Sequence, residues 1–209
     1  WPRLQSMTGA GFAVFMMNPR GSTSYGHDFA AKIESDYPNK DVGDLLAGVE
    51  AACEADFIDP DRVFVTGISG GGTLTTALVT RTDRFRAAAS LCPFVEWTGL
   101  RLAADVGPFI QYMMPDLPWE NPENYARLST INQAGNVTTP TMMQAGELDH
   151  RTPFYHAELF YQALKFVGVE TVLVRFVGEN HGTASRPSHG LQSVELLLNW
   201  FKRFDVSEA

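Results

Sequence analysis

Ser69 stands in Gly67-Ile-Ser-Gly-Gly71, a G-x-S-x-G pentapeptide followed by a fourth glycine, Gly72. Val63 to Thr66 is a β-branched and aromatic run that predicts a buried strand, and Thr73 to Val79 can carry a helix. A serine between strand and helix sits on a sharp, strained turn that lifts its hydroxyl clear of the sheet, as attack on a carbonyl requires. Strain excludes bulky neighbours and accounts for glycine at 67 and 71. The N-terminus of the next helix offers free N–H groups to an oxyanion. Two other readings fit the same glycines: a turn packed closely for structural reasons, and a phosphate cradle. A phosphate loop needs Gly-Lys-Ser/Thr, and this stretch has no lysine.

A serine hydroxyl is no nucleophile at neutral pH without a base, and the base needs an orienting acid. In α/β hydrolases these follow in the order Ser, Asp/Glu, His. In open α/β sheets, sites lie outside the carboxyl ends of strands. Asp149 lies in Gly146-Glu-Leu-Asp-His-Arg-Thr-Pro153, just past a strand expected to end at Ala145. His181 lies in Gly178-Glu-Asn-His-Gly182, just past a strand expected to end at Val177. Glu147 is the alternative acid. His27 precedes the serine, His150 and His156 crowd the acid loop or fall inside a helix, and His189 reads as a solvated or capping residue. Alone, His181 reads as a structural loop histidine; three residues placed after three strand ends make it the base.

The elements that position these residues alternate. Residues 1–8 read as a helix end, and Gly11-Phe-Ala-Val-Phe-Met-Met17 as a strand buried on both faces. Asn18 to Gly26 is a turn-rich loop, and residues 41–53 are helical by spacing. Strands are expected at 87–91, 141–145 and 171–177, and helices at 154–166 and 187–204. The last helix should bury Leu191, Val194, Leu197, Leu198 and Phe201. Cys92 to Asn136 is irregular with some helical patches, as for an insertion that shapes a pocket. This predicts one α/β domain over 1–209 with a mostly parallel sheet and helices on both faces.

The chain has 209 residues, 44% of them hydrophobic and 19% charged, as for one globular domain. A net charge of −8 argues against nucleic acid and anionic membranes as partners. No apolar run is long enough to span a bilayer, so the chain reads as soluble, its compartment open. Cys53 and Cys92 read as buried free thiols, and no Cys/His spacing suggests zinc.

The motifs together are more specific than any one of them. The chain resembles the prolyl oligopeptidase family of serine peptidases, in its acylaminoacyl-peptidase and dipeptidyl-peptidase-like branch. The resemblance is carried by Asn18-Pro-Arg-Gly-Ser-Thr-Ser-Tyr-Gly26, Ile58-Asp-Pro-Asp-Arg-Val63, Gly67-Ile-Ser-Gly-Gly-Gly72 and Phe85-Arg-Ala-Ala88. It continues in Asn136-Val-Thr-Thr-Pro-Thr141, the Asp149 and His181 loops, and Asn199-Trp-Phe201. It implies an α/β-hydrolase fold and a Ser69, Asp149, His181 triad, with the Gly70 N–H on the oxyanion. It implies hydrolysis of short peptides or acyl-peptides through an acyl-enzyme, with no metal or organic cofactor. It suggests that Arg151 holds a substrate carbonyl, where the plainer reading is a surface ion pair. It also suggests Phe94 and Trp97 as an apolar pocket wall, where the plainer reading is core packing. Arg20 is expected to be structural, with a buried partner. A carboxylesterase with the same triad, and a non-catalytic binding module, remain rivals.

Two departures qualify the resemblance. The residue after the serine is often tyrosine in the family and is Gly70 here. The family's β-propeller and its His-Gly-Gly-Pro-like loop have no counterpart, so the hydrolase domain is expected to lack its first strands. In the family topology a strand lies between the 11–17 segment and the elbow strand; without it, a gap or a non-standard pairing is expected. A second oxyanion donor should be lacking too, which would make the chain as it stands a weak catalyst.

Overall fold

A computed structural model describes residues 2–205. β1 (Phe64–Ile68), β2 (Ala87–Leu91), β3 (Thr141–Gly146) and β4 (Thr171–Phe176) form one parallel sheet in that order. The helices are α1 (Pro2–Gly9), α2 (His27–Ala30), α3 (Lys40–Cys53), α4 (Gly70–Val79), α5 (Trp97–Ala103), α6 (Gly107–Met113), α7 (Pro122–Leu128), α8 (Tyr155–Phe166) and α9 (Pro187–Phe204). Parallel strands need crossovers, and these helices cover the sheet on both faces. The two-residue period shows in β2. Ala87, Ala89 and Leu91 pack with α1 and α9, whereas Ala88 packs with Val79 and with Phe160 and Leu164 of α8. On the second face Val42 of α3 meets Ala77 and Leu78 of α4. The fold is the α/β architecture that the alternating pattern predicts.

Small residues on β2 let α4 come close. A Cβ on Gly72 would lie 2.4 Å from the Leu91 carbonyl oxygen, and one on Gly67 would lie 2.3 Å from that of Gly71. A Cβ on Gly71 would meet nothing within 4 Å. Crowding therefore requires glycine at 67 and 72, not at 67 and 71 as the pentapeptide suggests. The buried threonines of α4 satisfy their hydroxyls locally or across to the next loop. Thr75 donates to Gly71 O at 2.9 Å, and Thr73 donates to Phe94 O at 2.9 Å.

The structure revises three expectations. Residues 11–17 form no strand and do not join the β1 ladder. Phe12 meets Phe64 edge-on at 5.6 Å, while Phe15 and Met16 are 53% and 66% exposed. An apolar run becomes a strand only where a neighbouring strand takes its backbone groups. The α9 face is as expected at Leu197, Leu198 and Phe201 but differs at its start and in its polar members. Leu191 is 74% exposed, and Ser193, Leu197, Trp200 and Phe201 are buried. Two polar groups set that face: Ser193 Oγ donates to Gln144 Oε1 at 2.7 Å, and Trp200 Nε1 donates to Ala88 O at 2.9 Å. Finally, the helical patches expected in residues 92–136 are present and more extensive than the irregular reading suggests, because α5, α6 and α7 enclose an apolar cluster of their own. Arg20 is structural as expected, forked on Asp44 at 2.7 and 2.8 Å, though both side chains are only half-buried. Both cysteines are free, Cys92 buried and Cys53 half-buried.

The glycine geometry has a measurable consequence. Gly72→Ala should cost about 1–3 kcal/mol, because backbone rather than a mobile side chain must yield. That corresponds to a Tm lower by roughly 2–12 °C in a domain of this size. Gly71→Ala should leave Tm unchanged or raise it, since alanine is the better helix former by about 1 kcal/mol. Equal losses for the two in thermal denaturation would rule out contact with β2 as the cause.

Candidate active site

Ser69 is the N-cap of α4, with φ 59° and ψ −122°. A side chain rarely adopts such a backbone, and strain of this kind costs about 1–3 kcal/mol. The surroundings enforce it. The Ser69 N–H donates to Leu91 O at 2.8 Å, and Thr73 N–H donates to Ser69 O at 3.0 Å. Tyr37 Oη donates to Gly70 O at 2.6 Å, and the Tyr37 carbonyl accepts from Trp97 Nε1 at 3.0 Å. Burial raises the Tyr37 phenol far above its usual range and keeps it a donor. Gly70 is the first residue of α4, where N–H groups have no partner within the helix. Sequence reasoning missed Tyr37, because nothing local marks a residue 33 positions from its acceptor.

Asp149 and His181 are brought together by the loops after β3 and β4. His181 Nδ1 lies 2.8 Å from Asp149 Oδ2. The carboxylate is fully buried and further bound. Its Oδ1 accepts the N–H groups of Arg151 and Thr152, each at 2.9 Å, and its Oδ2 accepts from Thr152 Oγ1 at 3.1 Å. Burial alone would raise its pKa; hydrogen bonds from His181 and Thr152 outweigh burial and hold it below the usual carboxylate range. Thr152 Oγ1 also lies 2.9 Å from Cys92 O, tying the acid loop to the end of β2. The Asx turn of Asp149-His-Arg-Thr152 is the kind of local signal that an aspartate two and three residues before its donors can give, whereas the hydroxyl's contact with Cys92 has no local mark. Ser69 binds Leu91, and Cys92 is the next residue, so the serine and the Asp149–His181 pair flank the same strand end.

Glu179 was missed entirely. It is fully buried, and accepts from the N–H and Oγ of Ser185, from Arg186 N–H at 3.0 Å, and from His189 Nδ1 at 2.7 Å. Its own carbonyl accepts Leu148 N–H at 2.8 Å. One residue thus joins the acid loop, the histidine loop and the start of α9. Burial opposes its ionisation, but these donors pull its pKa down to about 2.

The other candidates are placed elsewhere. Glu147 pairs with Arg175 and accepts Gly178 N–H at 2.9 Å. His27 and His150 are exposed, and His189 is committed to Glu179. His156 is fully buried, and burial pushes its pKa down to about 3, so it stays neutral. Arg151 Nε lies 2.6 Å from Asp105 Oδ1, which is the ion-pair arrangement. Phe94 and Trp97 meet edge-on at 4.8 Å within the apolar cluster of α5, α6 and α7, Trp97 only 1% exposed. Among the described residues one trio, Cys92, Asp149 and His181, brings potential metal-ligating atoms within 4.8 Å of one another.

The prolyl oligopeptidase family model matches residues 2–205. The chain belongs to that family. It is 37% identical over 202 residues to the uncharacterized peptidase YuxL of Bacillus subtilis, covering 94% of this chain and 31% of that protein. It is 30% identical to the acylamino-acid-releasing enzyme of Arabidopsis thaliana, covering 95% and 27%. The uncomplexed acylaminoacyl peptidase of Pyrococcus horikoshii superposes with a TM-score of 0.86 at 32% identity, covering 92% and 32%. An acylaminoacyl peptidase in complex with Z-Gly-Gly-Phe-chloromethyl ketone gives a TM-score of 0.85, also at 32% identity, covering 92% and 32%. The family and the α/β-hydrolase fold are those that the motifs imply. The chain spans about a third of the length of these relatives. No described helix is long and apolar enough to cross a membrane.

Glu179 generates a pH prediction. A folded pKa below the unfolded value of about 4.3 contributes stability above that value and loses it as pH falls. The Tm deficit of Glu179→Gln should be full at neutral pH and shrink from about pH 4.3 downward, toward the folded value of about 2. A deficit independent of pH would show that the carboxylate's charge is not what the loops depend on.

Proposed function

We propose that this chain carries the acyl-transfer centre of a serine peptidase acting on short peptides or acyl-peptides. The observation that carries the reading is the buried Asp149 carboxylate holding the part-exposed His181 ring at the same strand end as the strained Ser69 elbow. Ser69 Oγ attacks the carbonyl, and His181 Nε2 takes its proton. Asp149 holds Nδ1–H, which fixes the tautomer, and stabilises the imidazolium that forms. His181 then protonates the leaving amine, and water repeats the sequence on the acyl-enzyme. The Gly70 N–H donates to the oxyanion from the first turn of α4. Membership of a peptidase family, and relatives named as acylamino-acid-releasing enzymes, support peptides over simple esters.

In the protein that carries this chain, a fluorophosphonate probe should label Ser69, and Ser69→Ala should abolish labelling. Asp149→Asn should lower kcat by roughly 10⁴, through the wrong tautomer. Wild-type rates in either variant would overturn the assignment. A panel of aminoacyl amides and simple esters separates peptidase from esterase. Labelling with ester turnover but no amide turnover would favour the latter, and no labelling would leave a binding module.

Arg151 and Phe94 are the substrate contacts of this reading. With Nε on Asp105, the guanidinium has further N–H groups to offer a peptide carbonyl, and Phe94, 7% exposed, is the apolar wall of this reading. Arg151→Ala should lower kcat/KM for an acyl-dipeptide by roughly 10- to 100-fold, the worth of one charge-assisted hydrogen bond. It should leave nitrophenyl acetate hydrolysis unchanged. Equal losses on both substrates would reduce Arg151 to its ion pair.

A further inference from the structure

Acyl transfer leaves Cys92 without a task, yet it sits against the residues that perform it. Cys92 follows β2 directly, is fully buried, and has φ 46°, a left-handed value that few side-chain-bearing residues adopt. Its Sγ, an oxygen of Asp149 and a ring nitrogen of His181 lie within 4.8 Å of one another. Thiolate, carboxylate and imidazole are the donors that zinc takes, at about 2.3, 2.0–2.2 and 2.0–2.1 Å. Two such donors on a tetrahedral ion stand roughly 3.3–3.6 Å apart. The Asp149–His181 separation is 2.8 Å, so the ring need withdraw only a little to admit an ion.

We propose that Cys92, Asp149 and His181 form an inhibitory site for a thiophilic divalent cation, zinc or cadmium. The inference rests on the reading of His181 as the base. The ring nitrogen that faces Asp149 is Nδ1. A metal there takes the Nδ1 lone pair, and the ring proton must move to Nε2, the nitrogen that accepts from Ser69. The imidazole then has no free lone pair for the serine proton. The sulfur binds as thiolate and its proton goes to solvent. Thiolate and carboxylate together balance the charge of the ion. Burial and the Asp149 charge resist ionisation of the thiol, while the amides of Gly182 and Gly146 and the Arg3 guanidinium favour it. Arg3 also repels the ion, so thiolate coordination must outweigh that repulsion. Entry runs past His181, the one member of the trio that is part-exposed.

The test uses the full-length protein carrying this chain, stripped of metal. Cadmium added to wild type should raise the ultraviolet thiolate-to-metal band with one equivalent per chain. Cys92→Ser and Cys92→Ala should remove that increment, and Cys53→Ala should keep it. Zinc should inhibit hydrolysis reversibly, with a chelator restoring activity. Loss of a group that only hydrogen-bonds a metal ligand weakens metal sites about 10- to 100-fold, so loss of the thiolate should raise the half-inhibiting zinc concentration by at least about tenfold. Each variant is compared with its own metal-free rate. A band that survives Cys92→Ser, or equal zinc sensitivity of wild type and both Cys92 variants, would overturn the site. Cadmium binding through Cys92 in a protein that fluorophosphonate does not label would instead sink the catalytic reading and leave the metal site standing.

Discussion

The hydrogen bond from the Ser69 N–H to the Leu91 carbonyl, 2.8 Å long, is the contact on which the site depends. It draws the turn after β1 onto the end of β2, and Gly72 presses on the same carbonyl from α4. A backbone held at both ends cannot relax to an ordinary conformation, so the serine keeps its positive φ. β2 is then more than a spacer. Its end receives the elbow from one side through Leu91, and the acid loop from the other through Thr152 and the Cys92 carbonyl. Replacing its alanines with larger residues would push the helices off and loosen both attachments at once.

The second organising contact lies between two loops. Gly146 ends β3, and a Cβ there would sit 2.4 Å from the Asn180 carbonyl oxygen, so the acid and histidine loops touch through backbone. Glu179 adds its carbonyl to Leu148 on one side and its carboxylate to residues 185–189 on the other. Asp149 is bound by the N–H groups of Arg151 and Thr152 and by His181 Nδ1, the kind of satisfaction that buried carboxylates require. Such a pair is oriented before any substrate arrives, and pre-orientation is the contribution a fold makes to acyl transfer.

What was legible in the sequence follows from this arrangement. Strand ends are marked by short apolar runs stopping at glycine, and the site rule for parallel sheets turns those ends into candidate positions. Asp149 and His181, which now stand 2.8 Å apart, were found in that way. The failures share a physical cause as well. Residues 11–17 are apolar enough for a strand, but pairing is a property of the neighbour. The α9 face was read from hydrophobicity alone, whereas Ser193 and Trp200 are drawn in by acceptors on β3 and β2. Tyr37, through its hydroxyl and carbonyl, and Glu179, through its carbonyl and carboxylate, bind partners that no local pattern records.

The makeup of α4 bears on how the protein reaches this state. The helix begins with three glycines and continues with threonines at 73, 75 and 76. Each glycine costs about 1 kcal/mol relative to alanine in a helix, and β-branched threonine is also a poor former. Residues 70–79 therefore have little reason to be helical in isolation, and short helices are marginal in water even for good formers. The Thr73 hydroxyl finds its acceptor, Phe94 O, only after the chain beyond β2 has docked. The geometry of the serine turn therefore depends on that docking. A nascent or partly unfolded chain carries the whole G-x-S-x-G motif without the strained elbow.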